Sequence, residues 1–193
     1  MISTAPDMEH TINCCIVGDG MVGKSSLVKS FIGQATSDSY VATVSDNYSG
    51  DASFIGVKYS VCISDSTGEH ENNEVRCSCY KDADVIVVCY SVNDKESFDN
   101  VKTFWLPEIR SIVGKKIPVI LVATQTDSRG QKGQETITKF EGLELADVIG
   151  AEHFAECSSV LQKGILKVFE YSVQSALKYK KTKSNIVRRL IGK

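Results

Sequence analysis

No run of about 18 consecutive apolar residues occurs in this 193-residue chain, so no membrane-spanning helix is expected. The opening MISTAPDMEH lacks the basic-then-apolar order of a secretory signal, which points to a reducing compartment. Internal repeats and low-complexity tracts are missing, and nothing marks a second domain. Seven cysteines are present, but none forms a paired two-residue-spaced motif. Cys77-Ser-Cys79 has a one-residue spacer and no second ligand pair nearby, so a zinc site is not expected. Cys14, Cys15, Cys62 and Cys89 lie in apolar, strand-like runs, where a free thiol acts as a small hydrophobe. Structural disulfides are not expected in a reducing compartment.

What is present fits one soluble domain. Apolar residues make up 42% of the chain and charged residues 24%, ordinary values for a globular protein with a sizeable core. The net charge of -2 hides an asymmetry. Seven basic residues and no acid lie between Tyr171 and Lys193, leaving 15 basic and 24 acidic residues in the first 170, a formal -9. An acidic body with a basic tail suits an anionic membrane surface as the tail's partner. Nucleic acid is not expected as a partner. The expected division is an N-terminal extension over residues 1–10, a domain over 11–177 and a basic tail over 178–193.

Strand-like and helix-like segments alternate. Ile12 to Val17 is a short apolar run entering a glycine-rich turn, and Lys24 to Phe31 reads as helix. Phe54 to Ile63 reads as strand. Val85 to Tyr90 and Val119 to Ala123 are continuous apolar runs, as in strands buried on both faces. Ser97 to Val113 carries Phe98, Val101, Trp105, Ile109 and Ile112 at helical spacing. Phe140 to Ile149 reads as helix, Phe154 to Cys157 as strand, and the last helix shows Ile165, Phe169, Val173 and Ala176 on one face. This order predicts an α/β fold, a mainly parallel sheet with helices on both faces. Ligands of such sheets bind beyond the C-terminal ends of the strands.

The polar motifs sit there. Gly18-Asp19-Gly20-Met21-Val22-Gly23-Lys24-Ser25 matches G-x-x-x-x-G-K-[ST] between a strand and a helix, the context of a P-loop. Its glycines let backbone N–H groups turn toward phosphate oxygens, and the helix N-terminus adds partial positive charge. Lys24 supplies a cation for the β- and γ-phosphates, and Ser25 a hydroxyl for Mg²⁺. Asp65, closing a strand ahead of Gly68, can hold a Mg²⁺-bound water, and the Gly68 N–H can meet a γ-phosphate. Thr124-Gln125-Thr126-Asp127 follows another strand. A carboxylate there accepts from the N1 and N2 donors of guanine, a pair adenine lacks. Cys157-Ser158-Ser159 closes the next strand, where backbone N–H groups can reach guanine O6.

These residues resemble the Ras superfamily of P-loop NTPases, and the Rho branch in particular. The Rho likeness lies in Tyr40 to Tyr48, Phe98 to Val101, Trp105-Leu-Pro-Glu108 and Glu156-Cys-Ser158, and the likeness runs from about Ile12 to Ala176. It implies a Ras-like G domain binding GTP or GDP with Mg²⁺, with slow hydrolysis and two switch segments that engage effector proteins. Switch one would cover Thr36 to Asp46, with Thr43 on Mg²⁺, and switch two Thr67 to Cys79. By the same resemblance, Asp19 to Ser26, Thr43, Asp65, Gly68, Thr124, Gln125, Asp127, Ser158 and Ser159 would touch the nucleotide, Ser26 included. Gly68, Glu69 and Lys24 would serve hydrolysis. Gly20 would leave room for the arginine of a GTPase-activating protein. The setting implied is Rho-type signalling, including that of the actin cytoskeleton.

The sequence also departs from that pattern. Gln125 replaces a lysine, Thr36 an aromatic residue that covers the base, Glu69 the water-orienting glutamine, and Ser45 a phenylalanine used to hold effectors. Ser128 to Thr136 is too short for the charged helical insert of Rho proteins. Leu-Ile-Gly-Lys193 is not a prenylation box. The expected activity is therefore a GTPase of low intrinsic rate with fast nucleotide exchange, cytoplasmic or peripheral on the cytosolic face of a membrane. The competing readings are a GTP-loaded binding module with negligible hydrolysis, and a P-loop kinase or ATPase. Asp127 and the lack of an arginine-rich lid disfavour the last.

Overall fold

A computed structural model describes residues 10–34, 45–66, 73–130 and 135–191. Six strands form one sheet: β1 (Thr11–Val17), β2 (Ser45–Phe54), β3 (Val57–Ser66), β4 (Val85–Ser91), β5 (Val119–Thr124) and β6 (His153–Glu156). Their order is β2-β3-β1-β4-β5-β6. Every neighbouring pair is parallel except β2 and β3. The centre of the sheet is the most apolar part of the sequence, and β4 and β5 are buried along their full lengths. That is the expected signature of parallel strands covered on both faces.

Helices do cover both faces. On one side α1 (Lys24–Phe31) and α6 (Ile165–Ile191) pack over Ile12, Ile16, Val61, Ile63, Val87 and Val122. Phe31 stacks on Phe169 at 3.7 Å between ring centroids, joining the two helices. On the other side lie α2 (Asn73–Asp82), α3 (Lys95–Asn100), α4 (Leu106–Val113) and α5 (Lys139–Ile149). Trp105, Ile109, Val88 and Leu121 form the core of that side. Local signals set the helix starts. Asp94 caps α3 by accepting from the Glu96 and Ser97 amides, and Thr138 and Glu141 form a reciprocal capping box on α5.

Three features differ from the sequence reading. The run from Phe54 to Ile63 is not one strand. The chain reverses at Ile55-Gly56, and β2 pairs antiparallel with β3 through Phe54↔Val57 and Ser45↔Ser66. β2 reads Ser-Asp-Asn-Tyr-Ser-Gly-Asp-Ala-Ser-Phe. An edge strand needs few apolar residues, so its composition gives no strand signal. The helical run ending at Val113 is not regular either: Val101–Trp105 forms a π turn between α3 and α4. Finally, α6 does not stop at Leu177. It continues to Ile191, through most of the expected basic tail. Lys180 ties this extension to the body through Asp84 at 3.0 Å and the Thr11 carbonyl at 2.7 Å, and Lys178 pairs with Glu152 at 2.8 Å.

Candidate nucleotide-binding site

The P-loop connects β1 to α1 at the C-terminal edge of the sheet. Gly18 has φ 139°, and a Cβ there would lie 2.2 Å from the Cys89 carbonyl oxygen, so β4 requires glycine at this position. Gly23 caps α1 with φ 89°, a left-handed turn that aims the first helical amides at the loop. Lys24 is buried, and its ammonium donates to the Gly18 and Asp19 carbonyls at 2.8 and 2.7 Å. An ammonium has three donors, so one remains for a phosphate oxygen among the described residues. Burial lowers the Lys24 pKa, opposed mainly by Asp65. A bound phosphate would favour the charged form.

Ser25 and Asp65, 40 residues apart, meet at 2.5 Å from Oγ to Oδ2. Asp65 is fully buried, and its other oxygen, Oδ1, has no hydrogen-bond partner among the described residues. Burial raises the Asp65 pKa, with the Ser25 hydrogen bond and Lys24 pulling it back. A buried carboxylate oxygen without a donor suits a cation or its water.

The expected base edge is built from the ends of β5 and β6. Asp127 lies in a short 3₁₀ turn, Thr126–Ser128. Ser158 is buried; its hydroxyl donates to Asp127 Oδ1 at 2.5 Å and accepts from the Leu161 amide at 3.0 Å. One carboxylate oxygen is thereby fixed. Thr124 is also buried, with its hydroxyl 2.5 Å from the Val22 carbonyl and 2.8 Å from that of Tyr90, joining the P-loop to β4 and β5.

Comparison with known proteins meets this geometry. The family model described as the Ras family matches residues 13–178. The chain is 37% identical over 172 residues to the Rho-related GTP-binding protein RhoH of Mus musculus, covering 88% of this chain and 90% of that protein. It is 36% identical over 172 residues to the protein of the same name from Bos taurus, with the same coverage. The chain belongs to the Ras family, in its Rho branch. As a small GTPase it is a guanine-nucleotide-binding protein.

In this small GTPase Gln125 ties its own loop to its neighbours. With φ 57°, it donates from Nε2 to the Met21 carbonyl at 3.0 Å and accepts at Oε1 from Ser91 at 2.6 Å. Asn93 approaches the same oxygen at 3.4 Å and accepts from Ser128 at 2.5 Å. The base loop, the end of β4 and the P-loop are therefore joined through glutamine. What is lost relative to lysine is reach and charge.

Asp19 also holds the loop in place. Its two carboxylate oxygens accept from Trp105 Nε1 at 2.6 Å and Asn100 Nδ2 at 2.7 Å. The Arg76 guanidinium lies 5.4 Å from the Trp105 ring. It is fully buried and bonds Glu108 in bidentate fashion at 3.0 and 2.9 Å, with Tyr80 donating to the same carboxylate at 2.7 Å. Glu108 raises the Arg76 pKa above its ordinary value, against the opposing effect of burial. Asn100, Ser91, Asn93 and Arg76 were absent from the sequence-based site. The partners just named for them are 32 to 81 residues away, beyond any local spacing rule. The only hint was Trp105, an indole N–H that must find an acceptor if buried.

The structure places Asp19 to Ser26, Asp65, Thr124, Gln125, Asp127, Ser158 and Ser159 along this edge. Gly20 and Met21 are exposed there, and Ser26 and Ser159 are half-buried. Ser159 accepts from Gln162 at 2.6 Å through its carbonyl. Thr36, Thr43, Gly68 and Glu69 lie outside the described residues.

Proposed function

We propose that this protein is a Rho-type GTP/GDP switch with slow intrinsic hydrolysis and fast intrinsic exchange. The observation that supports it best is the meeting of Lys24, Ser25, Asp65 and the Ser158-held Asp127 on one sheet edge. Asp127 offers a carboxylate to the paired donors of guanine. Lys24 offers charge to the β- and γ-phosphates. Ser25 and Thr43 would hold Mg²⁺, with Asp65 engaging it through water, and the ion would neutralise phosphate charge.

Slow hydrolysis follows from Glu69. Glutamine positions water by donating and accepting, whereas an ionised glutamate only accepts and sets negative charge beside the γ-phosphate. Gly68 and Lys24 would still contact the γ-phosphate. Fast exchange follows from Thr36, because a stacked aromatic contributes about 0.5–1.5 kcal/mol beyond its area. Such losses fall mainly on dissociation. Effector proteins and GTPase-activating proteins would meet the switch segments near Thr43 and Gly68, and an anionic membrane would meet the basic end of α6.

Release of a fluorescent GDP analogue tests the exchange reading. Thr36→Phe should slow release by about 2- to 13-fold, the rate equivalent of that stacking energy. Gln125→Lys should change it less, since Gln125 already joins the loops. Slow wild-type release unaltered by Thr36→Phe would overturn the reading. Nucleotide extracted from purified protein separates the classes: GDP fits a hydrolysing switch, GTP the constitutively loaded module that Glu69 would favour, and ATP neither.

A further inference from the structure

The face of the sheet beneath α2 carries thiols and hydroxyls where its other strands carry apolar side chains. β1 and β3 pair in register as Asn13↔Cys62 and Cys15↔Ser64. Side chains alternate along a strand, so these four share one face. Together with Cys79 and Asp82 of α2 they line a pocket of about 370 Å³. Cys15 is buried in its floor, Cys62 is exposed, and Cys79 is partly exposed at the wall contributed by α2. The Cys15 and Cys79 thiols are hydrogen-bonded to one another, and Ser64 also bonds Cys79.

We propose that Cys79 and Cys15 form a peroxide-reactive dithiol, Cys79 being the sulfur oxidised and Cys15 the thiol that closes a disulfide onto it. Reactivity requires a thiolate with access to solvent, and a resolving thiol within reach. Cys79 meets the first condition. The hydrogen bond from Cys15 lowers its pKa to about 6 against the upward effect of burial, with Ser64 assisting and Asp82 opposing. Cys15 meets the second. The hydrogen bond to Cys79 and its own burial hold it protonated.

The chemistry balances with one peroxide molecule. The Cys79 thiolate attacks a peroxide oxygen, the O–O bond breaks, and the departing hydroxide takes a proton to become water. Cys79 is then a neutral sulfenic acid, so the negative charge that kept Cys15 protonated is gone. Cys15 loses its proton and attacks the Cys79 sulfur. The S–O bond breaks, and the second hydroxide leaves as water. Two thiols are oxidised and the peroxide is reduced to two waters. The product ties α2, which overlaps the expected switch-two segment, to the central strand β1.

The test uses the full-length, GDP-loaded protein with hydrogen peroxide, read by intact mass and peptide mapping. The expected result is loss of two hydrogens, a Cys15–Cys79 linked peptide, and restoration by dithiothreitol. Cys79→Ser should abolish the linked peptide. Cys15→Ala should leave a Cys79 sulfenic acid that dimedone traps. A second measurement needs no variant: competitive labelling of the wild type with an aromatic disulfide near pH 6. There Cys79 is about half thiolate and an ordinary thiol well under one per cent, while its lower basicity returns about tenfold, leaving Cys79 about tenfold faster than a cysteine peptide added as the reference thiol. Labelling of Cys79 no faster than that reference peptide, or peroxide treatment that modifies other cysteines without the Cys15–Cys79 link, would overturn the proposal.

Discussion

At the scale of the residue, the site depends on second partners that hold the first. Asp127 is the group proposed to select guanine, and Ser158 holds one oxygen of its carboxylate. Ser158→Ala removes the hydrogen bond that holds one Asp127 oxygen in place. About 1 kcal/mol of nucleotide binding should be lost, roughly a fivefold rise in the GDP dissociation constant. An unchanged constant by titration would assign Ser158 to the fold alone. Asp65 carries a different consequence. Burial raises its folded pKa above the unfolded value, so the folded state favours the protonated acid. Between the two pKa values the native state binds more protons, and stability falls as pH rises through that window. Nucleotide-free Asp65→Asn should therefore have a higher urea midpoint than the wild type near neutral pH, with the gap closing toward about pH 4. Its Mg²⁺-dependent GDP affinity should drop. A wild-type midpoint above that of the variant at neutral pH would show that Asp65 stabilises the empty fold.

At the scale of the element, the π turn and α6 do what no single residue could. The π turn inserts an extra residue into the turn just before α4 and carries Trp105, the donor that reaches Asp19 of the P-loop. Helical spacing put Trp105 in line with the other apolar residues of that run, and its ring does face the core. It could not reveal that the N–H faces the P-loop. The C-terminal extension of α6 likewise changes the membrane expectation. Lys178 and Lys180 pair with Glu152 and Asp84, while Lys181 and Lys183 remain exposed. Each basic residue near an anionic lipid surface contributes about 1 kcal/mol, so the two paired lysines reduce the pull expected from seven. In sedimentation with phosphatidylserine vesicles, full-length protein should pellet at low salt and much less at physiological salt. A version ending at Leu177 should not pellet at either. Equal, negligible pelleting of both at low salt would leave this helix without a membrane role.

At the scale of the whole molecule, the nucleotide is expected to be part of what keeps the domain folded. The site draws on β1, α1, β3, β5 and β6, so a ligand there joins most of the sheet. A ligand at 1,000 times its dissociation constant adds about 4 kcal/mol. For a chain of this size that corresponds to a fall in Tm of roughly 8–16 °C when Mg²⁺ is chelated and the nucleotide is removed. Calorimetry of loaded and stripped protein checks this, and equal midpoints would contradict it. The sequence by itself determined the α/β order, the strands β1, β4 and β5, and the P-loop, because each is written in contiguous residues. Apolar runs mark buried strands, and the phosphate loop needs its glycines at fixed spacing. It also identified Asp65, Asp127 and Ser158 as separate strand-end residues. Only the tertiary structure decided what those residues touch: Ser25 with Asp65, Ser158 with Asp127, Trp105 with Asp19, and Gln125 with Met21. The same holds for β2, an edge strand too polar to declare itself, and for the thiol pair under α2. Side chains distant in sequence become neighbours only through strand order and helix packing, and one chain's local pattern carries no record of that.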